Sequence, residues 1–143
     1  MKKEDKELLF KDLCARLPYG VKCQFEDTVR IIDGESSPFY DYVLSARHLD
    51  LFINNKNFYV KPYLRPMSSM TKEEIHEFQD ILGSEVEVGY GFVDIVNSSI
   101  HTFSFLELQA LFDWLNKNMF DYRGLIKKGL AIEVTEENNP YEK

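Results

Sequence analysis

Apolar residues in the first part of the chain follow a helical period and then change to alternation. Leu9 and Leu13 lie four residues apart within residues 4–17, which predicts an amphipathic helix that ends before Pro18. From Val21 onward, apolar and polar residues alternate with the period of two that is typical of a half-buried strand.

Alternation continues in short segments and predicts an antiparallel meander of strands. The segments with this pattern are 21–25, 28–32, 40–46, 49–53 and 58–64, with a loop composition at 33–38. The asparagine-rich residues 54–57 are typical of a hairpin connection. In the last segment, alternation directs Phe58 and Val60 to the core. The same alternation directs Tyr59 and Lys61 outward.

Two helices in the second half of the chain are predicted by capping boxes. Thr71 lies three residues before Glu74, a spacing that satisfies the free amides at a helix start. Ser104 and Glu107 repeat this spacing, and both boxes open helical patterns. In the second helix, the apolar stripe predicts these buried residues: Phe105, Leu108, Phe112, Leu115 and Met119.

The remaining segments predict short elements and a tail. Residues 85–96 alternate and predict one more strand, and residues 130–134 alternate briefly. Asp121 and Gly129 are placed to cap the two ends of a short helix. The polar and acidic residues 136–143 predict a flexible tail.

These elements predict a single α+β domain over residues 1–135. We expect a leading helix, an antiparallel sheet of about five strands, and two or three helices packed on one face of the sheet. A length of 143 residues fits one domain with a substantial core.

The composition indicates a cytoplasmic protein. No apolar run approaches the roughly 20 residues of a bilayer-spanning helix, and the N-terminus lacks the apolar segment of a signal peptide. The two cysteines, Cys14 and Cys23, are too sparse for a disulfide framework, so we expect two buried thiols. We therefore expect no contact with a membrane.

Charge is distributed unevenly along the chain. The net charge of −7 disfavours nucleic acid as a partner, because proteins bind DNA largely by neutralising phosphates. Residues 56–72 nevertheless carry four basic side chains and no acid, whereas residues 73–94 carry seven acids and neither lysine nor arginine.

Patterns for catalysis and metal binding are weak. Glu73 and His76 share the spacing of a di-iron carboxylate pair, but such sites need a second copy. Neither His48 nor His101 has a glutamate three residues before it. The Gly-Tyr-Gly at residues 89–91 lacks the third glycine and the helix start of a dinucleotide-binding turn. We expect no enzymatic activity, no metal site and no cofactor.

The basic aromatic strip, defined as residues 56–72, is the strongest candidate for a binding surface. Its combination of rings and cations occurs at protein interfaces and in proteins that bind single-stranded nucleic acid. Arg65 has a structural alternative, an ion pair with Asp121 or with a carboxylate of the acidic helix predicted at residues 71–82. The strip residues that we expect to contact a partner are Tyr59, Lys61, Tyr63 and Arg65.

A second candidate follows at residues 121–124, with the sequence Asp-Tyr-Arg-Gly. Tyr122 and Arg123 are of the residue types that are enriched at interfaces. The alternative is a capped helix entry, in which Tyr122 packs and Arg123 is exposed.

Three stretches resemble an uncharacterised family of small proteins from gut Bacteroidetes and their phages or other mobile elements. They are YLRPMSSMTKEE, DWLNKNMFDYRGLI and GLAIEVTEENNPY. The resemblance implies a mobile-element setting in a bacterial cytoplasm and implies no particular activity. Asn118 and Met119 depart from it, since a histidine-bearing pair is expected there.

The expected function is that of a non-enzymatic accessory protein that binds another, unidentified protein. The uneven charge and the exposed tyrosine and arginine side chains favour this hypothesis. The alternative is a module that binds single-stranded nucleic acid through the basic aromatic strip.

Overall fold

A computed structural model describes five parts of the chain, and for the two shortest parts it describes the backbone. The described residues are 1–27, 39–83, 86–88, 93–95 and 104–142. The strand predicted at 28–32, the loop predicted at 33–38 and the Gly-Tyr-Gly at 89–91 lie outside these ranges.

Four α-helices and seven strands are formed by the described residues. In chain order they are α1 (Lys3–Arg16), β1 (Lys22–Asp27), β2 (Phe39–Val43), α2 (Ala46–Asn54), β3 (Phe58–Pro66), α3 (Lys72–Leu82), β4 (Val86–Val88), β5 (Val93–Ile95), α4 (Phe105–Lys117), β6 (Phe120–Asp121) and β7 (Ile132–Glu133). Short 3-10 turns follow α1 and β3.

Five of the strands form one sheet around the long strand β3. The order is β2-β1-β3-β6, and β7 also pairs with β3. The β1–β2 and β1–β3 pairs are antiparallel, whereas β6 and β7 run parallel to β3. The prediction of a single α+β domain with a leading helix and a sheet of about five strands is confirmed, and the sheet predicted as antiparallel is mostly so, with β6 and β7 parallel to β3.

Helices α1 and α2 cover one face of this sheet. Leu9 and Leu13 of α1 are fully buried in the same cluster as Cys23, Phe25 and Val60 of the strands. These strand residues alternate with outward-facing ones, so the period of two seen in the sequence places the core on the helix side. Cys23 is buried as predicted.

Cys14 corrects the expectation of two buried thiols. It is exposed on α1, whereas its neighbour Leu13 is fully buried. Adjacent residues of a helix point about 100° apart, so the apolar stripe that includes Leu13 turns Cys14 toward solvent.

A second apolar cluster joins α3 and α4 to the end of β3. It is centred on Phe120 and includes Phe78 and Leu115. The predicted apolar stripe of α4 is only partly buried. Leu115 is buried, whereas Phe105 is 91% exposed and Phe112 is 44% exposed. Within the described residues, α4 contacts α3 and β6 mainly through its C-terminal half, so its first turn extends beyond this cluster.

The segment 49–53 is helical, and its prediction as a strand is wrong. Ser45 caps α2 with a side-chain hydrogen bond from the backbone N–H of His48. Leu49 and Phe52 are buried three residues apart, so the segment also carries the period of a helix. Short apolar runs fit both periods, and here the cap decides for the helix.

Residues 85–96 contain two short strands, which corrects the prediction of a single strand. β4 and β5 pair with each other antiparallel and form a separate two-stranded sheet. Val88 pairs with Val93, and four residues of the sequence separate the two strands.

The helix predicted at 121–129 is not formed, and residues 125–129 form a turn instead. The carboxylate of Asp121 accepts the backbone N–H groups of Leu125 and Ile126, each at 2.9 Å. Gly129 has a left-handed backbone with a φ of 74°, and the N–H of Leu130 closes the turn on the carbonyl of Leu125 at 2.9 Å. The predicted C-terminal cap at Gly129 is confirmed, whereas Asp121 accepts from amides four and five residues ahead and not from the second or third amide of a helix, so it is not a helix N-cap.

The structure differs from the expected flexible tail at residues 136–143. The hydroxyl of Tyr141 accepts the N–H of Lys22 at 3.0 Å and donates to the carbonyl of Tyr63 at 2.8 Å. The Lys22 ammonium also donates to the carbonyl of Pro140 at 2.6 Å. The ring of Tyr141 also packs against the main apolar core, which the acidic composition of residues 136–143 did not indicate.

Candidate functional site

The outer face of the sheet, opposite α1 and α2, is built from alternate residues of β1, β2 and β3. Glu26 of β1 lies between Phe39 of β2 and Tyr59 of β3. The next row has Gln24 at its centre, flanked by Asp41 and Lys61. Tyr59 and Lys61 are exposed, as alternation predicts, whereas Phe58 and Val60 are buried.

Tyr63 lies on the same outer face but is buried. It is 7% exposed, and its hydroxyl donates to the carboxylate of Asp41 at 2.9 Å. Burial, followed by the hydrogen bond and the charge of Asp41, raises the pKa of Tyr63 to about 12. Tyr63 was predicted to contact a partner, but its hydroxyl instead ties β2 to β3 across β1.

The most exposed apolar side chains of the sheet belong to β2, which lies at the end of the strand order. All five of its residues are exposed, including Tyr42 at 66% and Val43 at 38%. Asp41 is the one charged residue of the strand, and its carboxylate is held by Tyr63. Edge strands usually carry charged side chains or proline that discourage pairing, and β2 presents mainly aromatic and apolar ones.

Arg65 forms an ion pair with Glu74 of α3, so the predicted alternative of a partner in the acidic helix is confirmed and the pairing with Asp121 is wrong. Its two terminal nitrogens donate to the two carboxylate oxygens of Glu74 at 2.7 and 2.6 Å. Its guanidinium also lies 4.2 Å from the centre of the Phe120 ring. The carboxylate of Asp121 instead accepts the backbone N–H groups of Leu125 and Ile126.

Glu74 joins this ion pair to the capping box of α3. One carboxylate oxygen accepts the N–H of Thr71 at 3.0 Å as well as the donor from Arg65. Burial opposes the charge on Glu74, but the hydrogen bonds from Arg65 and Thr71 outweigh it and lower the pKa of the carboxyl. The basic strip and the acidic helix, separate in the sequence, meet at this pair.

Tyr122 and Arg123 belong to a buried network that reaches α1. The carboxylate of Asp12 is fully buried and accepts from Arg16 at 2.9 Å and from Arg123 at 2.8 Å. The ring of Tyr122 lies 4.5 Å from the Arg123 guanidinium, and its hydroxyl donates to the side chain of Asn116 at 2.8 Å. The Arg123 side chain is 22% exposed, and Tyr122 is also partly buried. Both residues therefore stabilise the fold and present little surface to a partner.

Arg16 is the residue of this network that the sequence analysis missed. It is fully buried and donates to the carbonyl of Phe120 at 2.6 Å, which joins α1 to β6. Its third guanidinium nitrogen, Nη1, has no acceptor among the described residues. Asp12 and Arg16 are four residues apart on one helix, a spacing that allows an ion pair, and this signal was available in the sequence.

His48 lies on the helix side of the sheet beside the edge strand. Its Nδ1 accepts the N–H of Ser45 at 3.0 Å, and its ring stacks on Phe25 with centroids 4.0 Å apart. The ring of Tyr42 lies 6.5 Å from the ring of His48. Burial, followed by the charge of Arg47, lowers the pKa of His48.

The described residues contain neither a metal-binding cluster nor a membrane-spanning helix. No group of three or more His, Cys, Asp or Glu side chains there could hold a metal ion. No helix in those ranges is long and apolar enough to cross a membrane.

Comparisons with protein-family models, with curated proteins and with solved structures find no match to this chain.

Proposed function

We propose that this protein is a non-enzymatic accessory protein that acts by binding another protein through strand β2. The observation that carries the proposal is the exposure of Tyr42 and Val43 on a strand at the end of the sheet. Exposed apolar patches on such elements are typical of interaction sites.

Most of the residues that were predicted to contact a partner protein bind other residues of this chain. Arg65 pairs with Glu74, Tyr63 with Asp41, and Arg123 with Asp12. Of the predicted contact residues, Tyr59 and Lys61 remain exposed, and they lie on the outer face two strands from β2. They share the outer face with Val43, whereas Tyr42 lies on the helix side of the sheet.

The cellular setting is part of the proposal and rests on the composition and the resemblance. We place the protein in a bacterial cytoplasm and assign it to a phage or another mobile element. Its net charge of −7 favours a partner whose contact surface is basic.

Binding of single-stranded nucleic acid is the second candidate. The rings of Phe39 and Tyr59 flank Glu26 on the outer face, with Lys61 in the next row. The carboxylates of Glu26 and Asp41 lie within that same platform and repel phosphates. Binding of an oligonucleotide that weakens with salt would favour this function over protein binding.

The test uses an aromatic-to-lysine change on β2 with a matched control. A partner is captured on the immobilised protein and identified, and its affinity is then measured with purified components. Tyr42→Lys should weaken that affinity at least tenfold, whereas Tyr19→Lys, at a 36% exposed site on the turn after α1, should leave it unchanged. Equal affinity of the purified partner for both variants would overturn the proposal.

A further inference from the structure

We propose that β2 accepts an extended segment of the partner as an additional strand, in which apolar and basic side chains alternate. This inference rests on the proposed function and specifies the chemistry of the partner. It follows from the direction of the β2 backbone, the side chains on its two faces, and the charges nearest to it.

The backbone direction is set by the bond that follows β2. The N–H of Leu44 donates to the carbonyl of Val21 in the chain leading into β1, at 2.9 Å. Successive residues of a strand direct their N–H and C=O groups to opposite sides, so Tyr42 also faces β1. Asp41 and Val43 therefore direct their backbone groups away from β1, toward the side where no described strand pairs with β2.

The helix side of an added strand requires apolar residues. Tyr42 pairs with the buried Cys23, so its ring lies on the helix side of the sheet, where it is 66% exposed. An apolar side chain of an added strand would cover this ring, and cross-strand pairs with aromatic residues stabilise sheets.

The outer side of an added strand requires basic residues. Asp41 lies on the edge itself, and Glu26 lies one strand further in. Lys61 is two strands away, and Lys22, whose ammonium donates to the carbonyl of Pro140, lies one strand further in like Glu26. Among the described residues, the charge on β2 itself is therefore the negative charge of Asp41, and lysine or arginine on the added strand complements it.

A second copy of this chain fits the edge less well. Antiparallel pairing over all five residues of β2 would place Asp41 directly opposite Asp41 of the second copy. Like charges directly opposite each other destabilise a pair of strands. The occupant that fits best is a segment of a different protein.

The probe is a blocked seven-residue peptide of alternating lysine and valine, added to the full-length protein labelled with ¹⁵N. We expect amide hydrogen exchange at Asp41 and Val43 to slow at least fivefold at saturating peptide. Exchange at Tyr42 should change little, because its N–H already faces β1. Binding on the acidic face of α3 would leave the Asp41 and Val43 amides unaffected and would overturn the inference.

Two control peptides separate backbone pairing from attraction by charge and side chains. A peptide N-methylated at alternate residues keeps its side chains but loses strand hydrogen bonds, and it should bind at least tenfold more weakly. A glutamate-for-lysine peptide should also bind more weakly. Equal binding of the N-methylated peptide, or a dimer of the protein that protects the same amides without peptide, would overturn strand addition.

The protein variant Val43→Pro distinguishes this inference from the proposed function. Proline removes an N–H that faces away from β1, so the β1–β2 ladder keeps its bonds. If strand addition is correct, Val43→Pro loses the natural partner as Tyr42→Lys does. If Val43→Pro binds normally while Tyr42→Lys does not, the partner binds through side chains alone and only the proposed function stands.

Discussion

The hydroxyl of Tyr141 accepts the backbone N–H of Lys22 at 3.0 Å and thereby bridges two strands that have just separated. The ladder between β1 and β3 ends at the pair of Cys23 and Pro62. The next pair along the strands would be Lys22 and Tyr63, and the Tyr141 hydroxyl donates to the carbonyl of Tyr63 at 2.8 Å. A side chain near the C-terminus therefore completes the sheet at the point where β3 leaves β1 for β7.

We expect Tyr141→Phe to lower the free energy of unfolding by about 1–3 kcal/mol, because a backbone donor and an acceptor lose their partner while the ring still fills its site. Urea denaturation at constant m-value measures this change. Tyr59→Phe removes a hydroxyl from an exposed ring and should have little effect. Equal stability of the two variants would show that the Tyr141 hydroxyl bonds contribute nothing net.

The ion pair between Arg65 and Glu74 predicts that lysine cannot replace the arginine. Arg65→Ala and Arg65→Lys should each lower the free energy of unfolding by roughly 1–2 kcal/mol, since only a guanidinium binds both carboxylate oxygens at once. The partly exposed position keeps this value modest. A double-mutant cycle with Glu74→Gln measures the coupling, and strictly additive effects would contradict a direct interaction.

The buried carboxylate of Asp12 faces two arginines, so its removal should be costly. Asp12→Asn leaves Arg16 fully buried beside a neutral group, and we expect a loss of about 3–5 kcal/mol. Arg123→Gln should cost less, because the Arg123 side chain is 22% exposed and the bond between Asp12 and Arg16 survives. Chemical denaturation of the two variants gives the ranking, and the reverse order would contradict a network centred on Asp12.

Sequence patterns that span only a few residues predicted the helix starts and the strand β3 correctly. The capping boxes at Thr71 and Ser104 and the alternation of β3 are confirmed, because each depends on residues only a few positions apart. The segment 49–53 was misassigned because Leu49 and Leu51 also fit alternation, and the cap at Ser45 was overlooked.

The candidate site was harder to predict, because exposure depends on distant parts of the chain. Three residues were predicted to contact a partner but instead bind a carboxylate of this chain: Tyr63, Arg65 and Arg123. The fold brings these carboxylates close to them. Of these bonds, the one between Arg123 and Asp12 spans 111 positions in the sequence. The exposure of β2 results from its place at the end of the sheet, which no pattern within the strand reveals.

His48 predicts a loss of stability in mild acid. Its folded-state pKa lies below the ordinary value of 6.5, mainly because of burial, with a further contribution from the charge of Arg47. The unfolded chain therefore binds a proton at a higher pH than the folded chain does. Stability is fully present above pH 6.5 and is lost as the pH falls through the folded pKa. Protonation also removes the Nδ1 acceptor that holds the N–H of Ser45.

Melting temperatures of the parent and of His48→Gln between pH 7.5 and 5 test this prediction. Glutamine at this position keeps an acceptor for the capping box but does not titrate, so its melting temperature should fall less steeply with acid. His76→Gln, at an exposed position on α3, is the matched control and should follow the parent. Because the ring of His48 lies beside Tyr42, acid should also weaken partner binding at β2 in the parent more than in His48→Gln. Parallel curves for the parent and His48→Gln would assign the acid sensitivity to other groups, among them the carboxyl of Glu74.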